Sequence, residues 1–234
     1  YSFRCAPQVH GAVYEALIGM RETIQIELNS TTDNPLVFPE TTDHQSTIIS
    51  QGNFHGEILA LCADRMSLAL FELGSISERR MDQLLDSKKS GLPPFLATNS
   101  GLESGMMIVQ YSAGSALAEM HGHAAPRTSF STSTSAGQED HVSMGATACW
   151  NLYQSCIRLS EVLACELVIA CQGLEYNALN PAPFVKSLHK LVRTISPKLT
   201  KDRSTSTELQ SIAKILREGT WLSRIEAENE RLVR

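Results

Sequence analysis

The chain has 234 residues, 42% of them hydrophobic, and a formal net charge of −5. This is enough to bury a core, in one large domain or in a domain with an appendage. The acidic balance and the absence of a basic patch argue against nucleic acid as a partner. No apolar run reaches the roughly 18 residues of a membrane span.

The first half of the chain predicts two long helices with a small hairpin between them. Apolar residues recur every three or four positions over 9–28, as on one helix face, and the proline-containing stretch 29–35 ends this helix. Residues 36–38 and 47–49 predict two short strands of a hairpin. A second helix over 57–85 is apolar on most faces, which is typical of a helix inside a bundle.

The second half predicts two more long helices, joined by polar loops. A loop rich in glycine and proline over 90–104 precedes a helix of small residues over 105–120. The polar loop 121–137 is long enough to suggest a functional role. An apolar helix over 141–172 follows, and shorter amphipathic helices come after it.

The predicted fold class is mainly α: a long-helix bundle with short loops and a small β-hairpin. We expect a central helical bundle over about 1–175 and a C-terminal helical extension over about 176–234. Helices this apolar are also expected to pack against other subunits.

Cysteine and histidine usage predicts neither a disulfide framework nor a metal site. None of the six cysteines forms Cys-x-x-Cys, and the last four lie in an apolar helical pattern. They are expected to be small buried hydrophobes in a reducing, cytoplasmic setting. His121 and His123 lie in a loop without neighbouring carboxylates that could complete a metal site.

Polar clusters flank the predicted helices at 1–8, 52–57, 75–80 and 130–146. Each alone has an ordinary interpretation as a surface pair, a helix N-cap or an ion-pair network. The last cluster illustrates this, because its Ser-x-x-Gln spacing is that of a capping box and predicts a helix that begins near residue 141.

Taken together, the clusters belong to an ordered series of motifs. In chain order they are YSFRCAPQVHG, TTDNPLVF, QGNFHGE, GSISERR, LPPFL, SAGQEDHVSMG and ELVIACQGLE. The series resembles the C-terminal half of the aromatic amino acid ammonia-lyases, most closely the histidase branch, from residue 1 to about residue 175. The resemblance implies the helical fold of these enzymes, which is shared with fumarase and aspartase.

The resemblance also implies a reaction: non-oxidative elimination of ammonia from L-histidine to give urocanate, a step of histidine degradation. The β-proton is barely acidic and the amine is a poor leaving group. Members of the family meet the second difficulty with the electrophile 4-methylidene-imidazol-5-one (MIO), formed from an internal Ala-Ser-Gly, and the first with a tyrosine base.

By resemblance, Tyr1 matches the catalytic tyrosine that takes the β-proton. Arg4 matches the arginine that binds the substrate carboxylate, for which a planar guanidinium is well suited. Phe54 matches the aromatic residue beside the prosthetic group. Glu139 matches the carboxylate that faces the substrate imidazole, and Gln138 lies next to it in the same motif. We expect only a structural role for the neighbouring His141.

Two departures from the family pattern shape the expectations. Ala-Ser-Gly does not occur in the sequence, so the chain is expected to be the downstream half of the enzyme and to be inactive without an upstream half. The resemblance further implies a homotetramer. The loop 119–130 also departs from the family pattern, with Arg127 and Phe130 in unusual places.

Two alternatives remain open. One is a lyase or aminomutase that acts on tyrosine or phenylalanine, since related aminomutases share Gln-Glu-Asp; Glu139 and the residues after it favour histidine. The other is a catalytically silent helical assembly module. The enzyme interpretation predicts that Tyr1, Arg4 and Phe54 lie near one cleft, which Glu139 reaches from the same or a neighbouring subunit. An assembly module predicts that the polar clusters scatter.

Overall fold

The structure, a computed structural model, describes residues 1–176, 180–221, 223 and 225. Its helices are α1 (Ser2–Leu28), α2 (Glu57–Leu85), α3 (Ser87–Ser90), α4 (Met107–His123), α5 (Gly145–Leu174), α6 (Pro183–Arg193) and α7 (Ser206–Glu218). Strands β1 (Leu36–Phe38) and β2 (Thr47–Ile49) form an antiparallel hairpin. The mainly α fold class is confirmed.

Helices α2 and α5 form the centre of the bundle, with α1 packed on α2 and α4 packed on both. Their facing sides carry fully buried side chains such as Met81, Met120, Val168 and Ile169. Each such side chain contributes about 1.5–3 kcal/mol relative to an exposed position. The hydrophobic core therefore lies where α2, α4 and α5 meet.

Polar contacts tie the chain after α5 to the bundle. The buried amide of Gln172 donates to the carbonyl of Leu199 (2.9 Å) and accepts from its backbone N–H (3.0 Å). Glu175 accepts from Arg193 Nε on α6 at 3.0 Å. These contacts pack the chain after α5 on the bundle. The division into a bundle and a C-terminal extension near residue 175 stays a prediction. Part of the predicted extension lies outside the described residues.

The predicted boundaries hold for α2 and for the hairpin, where Leu36 pairs with Ile49. The bounds of three other helices differ from the prediction. α1 begins at Ser2, with Pro7 inside its second turn, and α4 continues to His123. α5 begins at Gly145 and not near residue 141, because the preceding residues bond to other parts of the chain.

The cysteine prediction is confirmed in part. All six cysteines are free, and Cys165 and Cys171 are buried. Burial raises the pKa of Cys165 to about 12 and that of Cys171 to about 11, which keeps both thiols protonated and unreactive. Cys149 and Cys156 are exposed, so the prediction of burial is wrong for these two.

Several large apolar side chains remain on the outer faces of the long helices. Those on α1, α2, α4 and α5 include Tyr14, Leu17, Ile58, Leu61, Leu68, Ile108, Tyr111, Trp150 and Tyr153. Among the described residues, none of the helices combines the length and hydrophobicity that crossing a bilayer requires.

Candidate active site

Tyr1 and Arg4 lie together at the start of α1. The carbonyl of Tyr1 accepts hydrogen bonds from the backbone N–H groups of Arg4 and Cys5, both at 3.0 Å, which fixes the first helical turn. The guanidinium carbon of Arg4 lies 5.3 Å from the centre of the Tyr1 ring, within the range of a cation–π contact. Tyr1 is 85% exposed, and Arg4 is exposed as well.

An open cavity of about 290 Å³ separates this turn from α2. Tyr1 and Cys5 line one wall, and Glu72, Ser75 and Arg79 line the other. Neither Glu72 nor Arg79 is among the site residues predicted from the sequence. The GSISERR motif contains Arg79 and could have indicated that an arginine of α2 lines this cavity.

Phe54 lies in a short 3₁₀ turn, Asn53–His55, directly before α2. Gly56 ends the turn at φ 75°, a left-handed conformation that glycine adopts without strain. The side-chain oxygen of Asn34 accepts from the Gln51 backbone N–H at 2.9 Å and thereby ties the base of the hairpin to the turn. The Phe54 ring is half exposed as a result.

Glu139 follows a tight turn, Ser135–Gly137. Thr134 and Glu139 exchange backbone hydrogen bonds at 2.8 and 3.3 Å, and the Thr134 hydroxyl donates to the Glu139 carboxylate at 2.6 Å. Gln138 lies at the end of the turn and is also exposed. The turn thus holds both side chains on an outer surface.

The capping interpretation of this segment is wrong. No side-chain hydrogen bond caps α5, whose N-cap is Met144 at φ 56°. The segment between the turn and the helix is held from outside: Ser131 Oγ accepts from the Val142 backbone N–H at 2.9 Å. Hydrogen bonds to distant residues therefore outweigh the local helix-start pattern.

Two histidines join the turn that contains Phe54 to the segment 141–143, which follows Glu139. The rings of His55 and His141 stack with centroids 5.4 Å apart and an interplanar angle of 26°. His55 Nε2 lies 3.2 Å from the His141 carbonyl oxygen, and Ser143 Oγ donates to the His55 carbonyl at 2.9 Å. His141 therefore has the predicted structural surroundings, and His55 is its partner.

The predicted site residues form two groups within the chain. Tyr1 lies beside the stretch of α2 around Ser75, with Arg4 next to it, whereas Phe54 lies directly before Glu57, the first residue of α2. At about 1.5 Å per residue, these positions on α2 are about 27 Å apart. The prediction that Tyr1, Arg4 and Phe54 lie near one cleft is therefore wrong within a single chain, because α1 packs along α2 with its first turn far from the start of that helix.

The unusual loop after α4 packs against the bundle. Arg127 donates to the Gly122 carbonyl at 3.0 Å, and Phe130 is exposed. The sequence predicts that His121 and His123 lie in this loop, but they belong to the last turn of α4. The His121 ring packs edge-on against Phe71, with ring centroids 5.4 Å apart. Burial lowers the pKa of His123, so its imidazole is held neutral.

The helical bundle and its outward-facing polar turns define the class of protein. The sequence profile of the aromatic amino acid lyases matches residues 1–194. The chain belongs to this family.

Particular relatives narrow the comparison. The histidine ammonia-lyase of Geobacillus sp. (strain WCH70) is 43% identical over 222 residues, which is 94% of this chain and 43% of the relative. That of Deinococcus radiodurans is 47% identical over 203 residues, or 87% of this chain and 38% of the relative. The chain thus spans about two fifths of the length of these relatives.

Solved structures agree in fold. The histidine ammonia-lyase of Trypanosoma cruzi superposes with a TM-score of 0.90 at 38% identity and covers 97% of this chain and 44% of its own. The tyrosine aminomutase of Streptomyces globisporus superposes with a TM-score of 0.91 at 33% identity, covering 97% and 43%.

Proposed function

We propose that this chain forms the downstream part of a histidine ammonia-lyase, which eliminates ammonia from L-histidine to give urocanate. The observation that carries the proposal is the exposed carboxylate of Glu139, which accepts a hydrogen bond from Thr134 and lies two residues before His141. The ring of His141 stacks on that of His55, the residue next to Phe54. A carboxylate there is suited to pair with an imidazole. The histidine ammonia-lyases that match at 43–47% identity support this choice of substrate.

The electrophile of the family, MIO, would come from another segment, since Ala-Ser-Gly is absent from this sequence. The chain's own residues fit a planar group, because the exposed side chain of Phe54 offers an aromatic surface next to His55. When bound, the group supplies an electrophilic carbon that turns the substrate amine into a better leaving group. We propose Phe54 as the residue that lies against it.

The remaining roles follow from the chemistry of each side chain. Arg4 binds the substrate carboxylate through its guanidinium and thereby orients the β-carbon. Tyr1, on the same turn, accepts the β-proton on its phenolic oxygen. Glu139 accepts a hydrogen bond from the substrate imidazole, and Gln138 beside it lines the substrate-binding pocket.

We propose that the active sites form between subunits of a homotetramer that also includes the upstream half of the enzyme. Two observations support this: the two groups of site residues lie about 27 Å apart along α2, and α1, α2, α4 and α5 expose large apolar side chains. The free cysteines support a reducing, cytoplasmic location.

A tyrosine or phenylalanine substrate is the second candidate. It is favoured by the close superposition of tyrosine aminomutase, with a TM-score of 0.91. The phenyl ring of phenylalanine offers no hydrogen-bond donor to the Glu139 carboxylate, whereas the phenol of tyrosine does. Of the two, tyrosine is therefore the stronger competitor of histidine.

Co-expression tests the proposal directly. The chain is produced with an upstream segment that contains Ala-Ser-Gly, and urocanate is followed by absorbance after histidine is added. The matched control replaces the serine of Ala-Ser-Gly by alanine. Urocanate in the first sample alone supports the proposal. Cinnamate from phenylalanine without urocanate from histidine overturns the assignment of histidine as the substrate. If no aromatic amino acid gives a product, the proposed lyase activity is overturned.

A further inference from the structure

Three metal-ligating side chains meet where the Phe54 turn contacts the Glu139 segment. One potential ligand atom from each of His55, Glu57 and His141 lies within 4.8 Å of the other two. The sequence pattern does not predict such a group, because His55 and His141 are 86 positions apart. The cluster is distinct from the side chains proposed above to contact the substrate.

The proton positions in the cluster depend on the tautomers of the two imidazoles. A neutral imidazole has one N–H, and an ionised carboxylate only accepts. His55 Nε2 lies 3.2 Å from the His141 carbonyl oxygen and 3.4 Å from His141 Nδ1, and His55 Nδ1 lies 3.6 Å from Glu57 Oε2. That carboxylate oxygen is buried and has no hydrogen-bond partner among the described residues. A buried carboxylate oxygen beside two imidazoles is a group that a cation would satisfy.

The distance between the imidazoles matches a metal site. Zinc binds imidazole nitrogen at about 2.0–2.1 Å, and two nitrogens on a tetrahedral ion are then about 3.3–3.4 Å apart. His55 Nε2 and His141 Nδ1 are 3.4 Å apart. A carboxylate oxygen of Glu57 lies within 4.8 Å of a ring nitrogen of each histidine, so a small side-chain rotation brings it to the remaining position. Two imidazoles and a carboxylate are a ligand set that zinc and its neighbours in the first transition row accept.

We propose that His55, Glu57 and His141 bind a divalent transition-metal ion of the zinc class. Two imidazole nitrogens and one carboxylate oxygen bind the ion, which leaves one coordination position open to water. His55 Nε2 then gives its lone pair to the ion and makes no hydrogen bond to the His141 carbonyl. It joins the start of α2 to the segment that leads from Glu139 into α5. The proposal concerns ion binding and is independent of the reaction assigned above.

Cobalt(II) is the probe, because a tetrahedral cobalt site absorbs visible light. The full natural protein that carries this sequence is purified without a histidine tag, freed of metal with a chelator and titrated with Co²⁺. We expect one equivalent per chain and displacement of the bound cobalt by Zn²⁺. If neither Co²⁺ nor Zn²⁺ binds, hydrogen bonds alone hold the three side chains together, and the proposal is overturned.

Variants locate the ion. His55→Gln and His141→Gln should each lower the affinity at least about 100-fold, since loss of even an outer partner of a metal ligand costs 10–100-fold. The matched control is His44→Gln, an exposed histidine in the hairpin loop, which should bind as the parent does. If either histidine variant fails to fold, Glu57→Gln replaces it and should also weaken binding. Unchanged affinity in the folded variants overturns the assignment of these ligands.

Discussion

The buried carboxylate of Asp64 on α2 accepts two hydrogen bonds from Thr128. One comes from the backbone N–H at 2.9 Å and the other from the hydroxyl at 2.8 Å, both to Oδ2. Asp64 is 6% exposed, and these bonds replace the lost hydration of Oδ2 only, since Oδ1 is buried without a hydrogen-bond partner among the described residues. They anchor the polar loop that leads from α4 to Glu139.

Thr128→Val removes the hydroxyl and keeps the shape of the side chain. A hydrogen bond to a charged group contributes about 1.5–3 kcal/mol, and we expect the free energy of unfolding to fall by about that amount in urea titrations. The control is Thr132→Val, which changes an exposed threonine of the same loop. Equal losses in the two variants would show that the Asp64 contact is not what anchors the loop.

Glu139→Gln separates substrate recognition from folding. Because the side chain is exposed, its change should alter stability by no more than about 0.5 kcal/mol. Loss of an ionic hydrogen bond of about 1.5–3 kcal/mol should lower kcat/KM for histidine about 10- to 150-fold in the complete enzyme. Asp140→Asn, at the adjacent exposed position, serves as the control. A similar loss of kcat/KM in both variants would contradict a specific role of Glu139 in substrate recognition.

Tyr1 and Arg4 should affect different kinetic constants although their side chains are in contact. Arg4→Ala should chiefly raise KM, since it removes substrate binding, and Tyr1→Phe should chiefly lower kcat, since it removes the proton acceptor. Arg4→Lys keeps the charge without the planar fork and should lie between Arg4→Ala and the parent. A large drop in kcat with unchanged KM for Arg4→Ala would contradict its assignment to carboxylate binding.

Glu175 makes stability depend on acid pH. Burial opposes ionisation of this carboxyl, but hydrogen bonds from Arg193 and His189 outweigh it and lower the pKa below the ordinary 4.5. The group therefore stabilises the fold above that pH, and the contribution is lost as the pH falls from 4.5 through the folded pKa. Glu175→Gln should be less stable at neutral pH and lose less stability in acid, as measured by urea titration at each pH. Glu40→Gln, exposed in the hairpin loop, should follow the parent.

The sequence predicts those parts of the fold that local pattern controls. The apolar period of α2 and the turn residues around β1 and β2 are sufficient to place these elements. The start of α5 escapes prediction, because Met144 adopts a left-handed conformation and Val142 bonds to Ser131 across a loop.

The candidate site shows the same division. Motif order is sufficient to select Tyr1, Arg4, Phe54 and Glu139 as candidates, but their arrangement in space depends on how helices pack. The contact between His55 and His141 joins positions 86 residues apart, and no periodicity encodes it. The distance between the two groups depends on the antiparallel packing of α1 along α2, which brings Tyr1 to the far end of that helix.

The separation of the two groups along α2 has a genetic consequence. An active site completed by different copies of the chain does not require every copy to be intact. A variant that lacks the Tyr1 phenol and one that lacks the Glu139 carboxylate, each inactive alone, should regain part of the activity when they are unfolded and reassembled together, because some mixed sites receive both groups from intact copies. The two lesions would then behave as alleles that complement each other within one gene.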